Sequence, residues 1–390
     1  MMCALQAGRR HKKVLLIDHA AKVGSKILIS GGGRSNFTNT ECTSKNFVSQ
    51  DPLFCEYALK SYPPKKFIEL VQKHRIPFHE KKLGQLFCDV SAKAIVKMLV
   101  DECAIAQVKT LLECKVTQVL CNADDFANRF QIETNLGTFS ASHLVVATGG
   151  LSIPQIGASG FGYQIAKKFQ LKVTTRHPAL DGFLFSDDEL PFFKSLAGVS
   201  LECIMRAGTL SFRENLLFTH KGFSGPAALQ ASLHWNIGEN LHINLLPDFD
   251  ALHWLVGQKS KGNRQLLKNI LSERLPSRFA ELFTGTKLQK ILPKINVQKL
   301  LVSDLSDDQL KQFALDLHDW ILIPKSTVGY NKAEVTRGGI DTSELSPQSM
   351  EAKRVPGLFF IGEVVDVTGW LGGYNFQWAW SSGWAAAQAL

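Results

Sequence analysis

The sequence predicts an α/β protein: a parallel-strand core, discontinuous along the chain, interrupted by an insertion that is part small β-barrel and part helical. Three observations predict it. Short apolar runs end in an acid or a glycine turn, as buried parallel strands do: Val14–Ile17 before Asp18, His143–Ala147 before Thr148-Gly149-Gly150, and Leu358–Ile361 before Gly362-Glu363. Two stretches, one early and one late, are dense in glycine. From about residue 171 the composition shifts to brief strand-like runs and helices, and it returns to the first pattern near residue 340.

At 390 residues the chain is too long for one ordinary core. A hydrophobic content of 45% and a charged content of 20% exclude a disordered chain. The net charge of +9 is moderate, and no basic stripe is interleaved with aromatics, so nucleic acid is not expected as a partner. Cys3, Cys42, Cys55, Cys88, Cys103, Cys114, Cys121 and Cys203 form neither Cys-x-x-Cys nor a zinc-spaced cluster, so no metal is expected. Scattered thiols point to a reducing compartment, and no apolar run is long enough to span a bilayer. The expectation is a cytoplasmic protein.

In chain order, Met1–Arg10 reads as a helix and Val14–Asp18 as a strand capped by an acid. In a dinucleotide-binding βαβ unit the second strand ends in an acid that bonds the adenosine ribose, a role Asp18 suits. The Gly-x-Gly-x-x-Gly turn that should open such a unit is absent. Gly24–Asn39 holds Gly31-Gly32-Gly33, which let backbone amides press against a ligand, with Lys26, Ser30, Arg34 and Asn36 as donors. Helices are expected at Phe67–His74 and Ala92–Ala104, hairpins at Phe78–Phe87 and Phe130–Ser140, and a strand at Glu113–Leu120. Gly157–Ala166 is a glycine-rich start to a further helix and a minor anion-site candidate. In the insertion, Val199–Met205, Thr209–Phe212 and Leu241–Leu246 read as strands. Leu252–Val256, Arg264–Leu275 and Asp307–Leu317 read as helices, the last with a Ser306/Gln309 capping box.

The late glycine-rich stretch organises the whole. Gly362 bares the backbone beside Glu363, whose carboxylate can accept bonds from a sugar-like hydroxyl chain. Gly369, Gly372 and Gly373 form a turn, and a helix from Asn375 to Leu390 follows. Free amides at that helix start favour negative charge, which the pyrimidine edge of a flavin gains on reduction.

Together these residues resemble the YhiN-type family, also called BaiN/RdsA-type NAD(P)/FAD-dependent oxidoreductases. The resemblance rests on Lys26-Ile27 with Ser30–Arg34 and Asn36–Asn39, and on Phe218-Thr219-His220 with Ser224-Gly225-Pro226. It rests also on Glu334-Val335-Thr336 with Gly338-Gly339, and on Gly362-Glu363, Asp366, Gly372–Asn375 and Gln377–Gly383. It implies a Rossmann-like FAD-binding domain of the two-dinucleotide-binding flavoprotein type, carrying an inserted β-barrel plus helical domain. Residues 1–170 and 341–390 would form the FAD domain, N-terminally incomplete, and 171–340 the substrate-side insertion. Carried over by position, Asp18 would hold the adenosine ribose and Val116 would offer its backbone to adenine. Lys26, Ser30, Gly31, Gly32, Gly33, Arg34, Ser35 and Asn36 would line the diphosphate and flavin, and Thr148, Gly149 and Gly150 would pass beside the dinucleotide. Gly362 with Glu363 or Asp366 would hold the ribityl and diphosphate region, and Gly373, Tyr374, Asn375 and Phe376 would face the flavin pyrimidine.

Two departures are visible. Family members begin with a strand and a Gly-x-Gly-x-x-Gly loop just before the segment matching Met2-Cys3-Ala4, so Met1 is predicted to be internal, or else the gene has lost its start. Many relatives carry Cys where this chain has Ser35. The expected activity is an FAD-dependent oxidoreductase moving hydride to or from a small molecule. NAD(P)H as transient co-substrate and oxygen as acceptor both stay open, and no catalytic acid or base is assigned. The alternative is a non-catalytic or FAD-deficient binding protein descended from such an enzyme. A thiol–disulfide flavoenzyme and a tRNA-modifying flavoprotein are minor readings.

Overall fold

A computed structural model describes residues 1–293, 296 and 299–390. The chain forms two compact units, Met1–Pro178 with Glu334–Leu390, and Ala179–Ala333. The expected limits of the insertion, 171 and 340, enclose the second unit.

In the first unit the three predicted parallel strands each find a parallel partner, one of them in Lys109–Leu111, which the sequence did not single out. Leu15–Ile17 runs parallel to Lys109–Leu111, and Leu144–Val146 runs parallel to Leu358–Phe360. Leu358, Phe359 and Phe360 are buried, whereas Leu15, Leu16 and Ile17 are only half-buried. Among the described residues each pair stands as its own two-stranded ladder. Antiparallel elements flank them: Val116–Cys121, Phe130–Thr134 and Gly137–Ala141 form one sheet, and Asn36–Asn39, Gln85–Cys88 and Phe78–Glu80 form another in that order.

The C-terminal helix, Tyr374–Ala389, is the hub of this unit. Its sequence is apolar or small on nearly every face, as a helix buried all round requires. Its few polar groups are anchors. Trp378 Nε1 donates to Gly362 O at 3.0 Å, and Trp380 Nε1 donates to Phe37 O at 2.8 Å. Gln377 accepts from Thr38 Oγ1 at 2.6 Å and donates to Tyr62 O at 2.8 Å. These bonds lock the helix to the end of strand Leu358–Phe360 on one side and to strand Asn36–Asn39 on the other. Met2–Arg9 lies along it, and Gly383 leaves room: a methyl there would sit 3.2 Å from Cys3 N.

The second unit holds a seven-stranded antiparallel sheet. Its edge strands are Trp320–Leu322 and Ser326–Thr327. Laid flat, seven strands would separate those edges by about 29 Å. The chain from residue 322 to 326 spans at most about 14 Å, so the sheet must curl into an open barrel. Ser200–Ala207 alternates exposed and buried positions, placing Leu201, Cys203, Met205 and Ala207 inward. Phe193, Phe218, Phe223, Phe279 and Trp320 fill the interior with edge-on, tilted and stacked rings. Ser306 and Gln309 make the expected reciprocal cap of helix Asp307–His318, at 2.8 and 3.2 Å. The helix expected over Arg264–Leu275 shortens to Leu267–Leu271, because Leu266 is drawn into a β-bridge with Leu301.

Candidate functional site

The site lies in the first unit and grows from its loops. Helix Ser25–Ile29 ends where the chain turns through Gly31, at φ 57°, into strand Asn36–Asn39. A methyl at Gly31 would lie 2.9 Å from Asn36 N and from the Phe87 ring, whereas Gly32 and Gly33 face open space. At the other end of the chain Gly373 takes φ 95° as the cap of the C-terminal helix. A methyl there would run into the Thr38 carbonyl and come within 2.9 Å of the Asn36 side-chain amide. Asn36 therefore stands between the two glycine-rich stretches. With its amide set to satisfy its neighbours, it donates to Leu86 O and Thr38 O and accepts from Gly373 N at 3.3 Å. The strand carrying it bulges at Phe37, as Asn36 pairs with Phe87 but Thr38 pairs with Leu86.

A second convergence adjoins the first. Lys26 Nζ lies 3.1 Å from Glu363 Oε2, and Thr336 N donates to Glu363 Oε1 at 2.9 Å. Thr336 Oγ1 accepts from Leu151 N at 2.8 Å. Gly150 fits where no side chain could, since a methyl there would lie 2.5 Å from Thr336 Oγ1 and 2.7 Å from Glu363 Oε1. Beyond it Gly149 faces open space, and Ala147 and Thr148 are exposed. The loop continues to Gly157, which abuts His19: a methyl would be 2.7 Å from its Nε2. Asp18 accepts from Ala20 N at 2.9 Å, and its carbonyl accepts from Cys114 N, two residues before Val116. The Lys26–Glu363 pair thus joins the segment before Gly31 to the loop at Gly150, and the contact of Gly157 with His19 joins that loop to the segment of Asp18.

A protein-family model described as the HI0933-like protein Rossmann domain matches residues 1–389. The chain belongs to this HI0933-like family. Its members are Rossmann-like flavoprotein oxidoreductases, in line with the resemblance read from the motifs. The chain is 49% identical to a ribosomal RNA dihydrouridine synthase of Escherichia coli K12, covering 100% of this chain and 95% of that protein. A protein of the same name from Haemophilus influenzae Rd is 42% identical, with the same coverage. A 3-dehydro-bile acid delta(4,6)-reductase of Clostridium scindens is 26% identical, covering 97% of this chain and 92% of that protein. The first two names do not support setting nucleic acid aside.

Within this HI0933-like chain several expected site residues are buried or spend their side chains on the fold itself. Ser35 is wholly buried at φ 51°, and its hydroxyl has no partner among the described residues, so it packs rather than faces the cleft. Asp366 is 5% exposed, and burial pushes its carboxyl up to about 6 against the pull of the Gln50 amide. Tyr374 turns its ring into the core, edge-on to Phe47, and burial raises its phenol to about 12. Asn375 spends its side chain on Gly369, accepting from its N and donating to its O at 2.8 Å each. Phe376 stacks on Trp380. These three offer backbone amides rather than side chains. The first intrahelical bond of the helix is Gln377 N to Gly373 O, at 3.0 Å. Ser30 turns its hydroxyl back onto Ile27 O, and Gly362 N is taken by Ser382 Oγ.

Thr336 and the Phe78–Cys88 hairpin went unassigned in the sequence. Thr336 was visible only as part of a motif, and its role follows from a bond to a residue 27 positions away. Burial pushes the Cys42 and Cys55 thiols up to about 12, which removes a basis for thiol chemistry there. Among the described residues no group of acids, histidines and cysteines could hold a metal, and no helix is long and apolar enough to cross a membrane.

Proposed function

We propose that the chain binds FAD in this cleft and reduces a carbon–carbon double bond of a uracil base in ribosomal RNA. The observation that carries the cofactor assignment is the shared wall at Asn36, where two glycine-rich stretches 337 residues apart meet. The donors present fit FAD. Gly33 and Gly149 leave their backbone open to a ligand, and Lys26 supplies a cation. Bound there, FAD would supply two-electron redox chemistry, replenished by a nicotinamide-type reductant.

The chain's residues would supply position and charge. Asp18 would accept from the adenosine ribose, and Val116 would present its backbone to adenine. Glu363, held by Lys26 and Thr336, would accept from the ribityl hydroxyls, a role that the buried Asp366 is poorly placed to share. The amides of Tyr374, Asn375 and Phe376 would stabilise negative charge at the pyrimidine edge.

The reaction class draws support from the relatives. A dihydrouridine synthase and a delta(4,6)-reductase are both named for saturating a ring double bond, which takes up two electrons and two protons. The choice of RNA follows the relatives that are 49% and 42% identical over the whole chain. The test is to incubate the FAD-loaded protein with NADPH and unmodified ribosomal RNA, then analyse the nucleosides by mass spectrometry. A uridine gaining two hydrogen atoms is expected. Unchanged RNA beside a reduced bile-acid enone would favour a small-molecule substrate instead.

A further inference from the structure

The hairpin Phe78–Cys88 borders the glycine loop, its second strand pairing with Asn36–Asn39. Together with Gly31, Gly32 and Arg34, its residues His79, Lys81 and Phe87 line a half-open hollow of about 300 Å³. Cys88 N donates to Arg34 O at 2.9 Å, tying the hairpin to the glycine loop. The His79 and Phe87 rings lie 18° from parallel with centroids 6.2 Å apart, and Lys81 Nζ sits 5.5 Å from the centre of the Phe87 ring. His79 is fixed by Asp89 at 2.5 Å, yet 44% of its side chain is exposed. Glu80 is occupied by Gly84 N, while Arg34 and Lys81 have no ion-pair partner among the described residues. Beside the expected flavin position there is therefore an aromatic plate bordered by two uncompensated cations.

We propose that this cavity is a nucleotide subsite for single-stranded RNA: His79 and Phe87 stack a base neighbouring the target uridine, while Lys81 holds the adjoining phosphate and Arg34, on the glycine loop, borders it. The proposal rests on the RNA reading above. Stacking on an aromatic face is sequence-tolerant, and each phosphate contact adds one unit of salt dependence, so the two kinds of residue leave different signatures.

The test measures binding of a short fluorescein-labelled oligouridylate to the FAD-loaded protein by anisotropy over a range of potassium chloride. The wild type is compared with His79→Ala and Lys81→Ala, with bound flavin measured in each. Lys81→Ala should weaken binding severalfold and reduce the slope of log K against log salt by about one. His79→Ala should weaken binding by about fivefold or more and leave the slope unchanged. Wild-type affinity and slope in both variants, with flavin retained, would overturn the subsite while leaving RNA as substrate. Absence of oligouridylate binding by the wild type would sink both. Should His79→Ala lose flavin, the exposed hairpin residue Lys81 decides the matter alone.

Discussion

At the scale of single residues, Glu363 and Asp366 divide the work that the sequence left between them. Glu363 keeps a half-open carboxylate tied to Lys26 and to the Thr336 amide. Glu363→Gln should leave the melting temperature nearly unchanged, because the amide oxygen can still accept from Thr336 N. It should weaken FAD binding about tenfold, or about 1.4 kcal/mol. Fluorescence titration with FAD measures this, and Lys26→Met should add little in the double variant, since both remove one ion pair. Asp366 behaves oppositely. Its folded carboxyl is raised to about 6, first by burial and then by Asp341. A raised acid adds stability only while protonated, below its ordinary value, and that stability is lost as pH rises through about 6. Asp366→Asn should therefore melt higher than wild type above pH about 6, and the advantage should vanish towards pH about 4.

At the scale of elements, two contacts hold the first unit in register. The cap of the C-terminal helix admits no side chain at Gly373, because a methyl would strike the Thr38 carbonyl at a left-handed φ. Gly373→Ala should cost about 2 kcal/mol or more, whereas Gly33→Ala, left-handed but facing open space, should cost about 1 kcal/mol. Chemical denaturation of both variants checks the difference. The second contact is Glu102, 1% exposed on helix Ala92–Ile105. It gathers Arg9 from the N-terminal helix, Lys73 at 2.8 Å and His74 at 2.6 Å. Burial alone would raise its carboxyl, but hydrogen bonds from Lys73, His74 and Arg9 outweigh that and hold it at about 2. Its contribution is complete above its ordinary value near 4.5 and fades as pH falls towards 2. Glu102→Gln should thus be less stable than wild type at neutral pH, and acid titration should close the gap over that window.

At the scale of the whole molecule, local signals in the sequence travelled further than long-range ones. The apolar runs at Val14–Ile17 and Leu358–Ile361 and the Ser306 cap were legible because their physics lies within a few residues. Gly31–Gly33 and Gly373 were legible as backbone that must meet something. The sequence could not show that Asn36 is where they meet, nor that Thr336 holds Glu363, since both facts need chain segments far apart. Side-chain direction was equally hidden. Ser35, Asp366 and Tyr374 sit in the right motifs but point into packing, and only burial in the folded chain reveals it. Phe78–Phe87 read as an ordinary hairpin because its cations acquire meaning only beside the glycine loop. The central claim, that one cleft in the first unit closes on a single flavin, is tested most directly by titrating the purified protein with FAD and following the flavin absorbance. The account predicts saturable binding of one FAD per chain, weakened by Glu363→Gln. An unperturbed flavin spectrum at every protein concentration, or binding indifferent to Glu363, would contradict it.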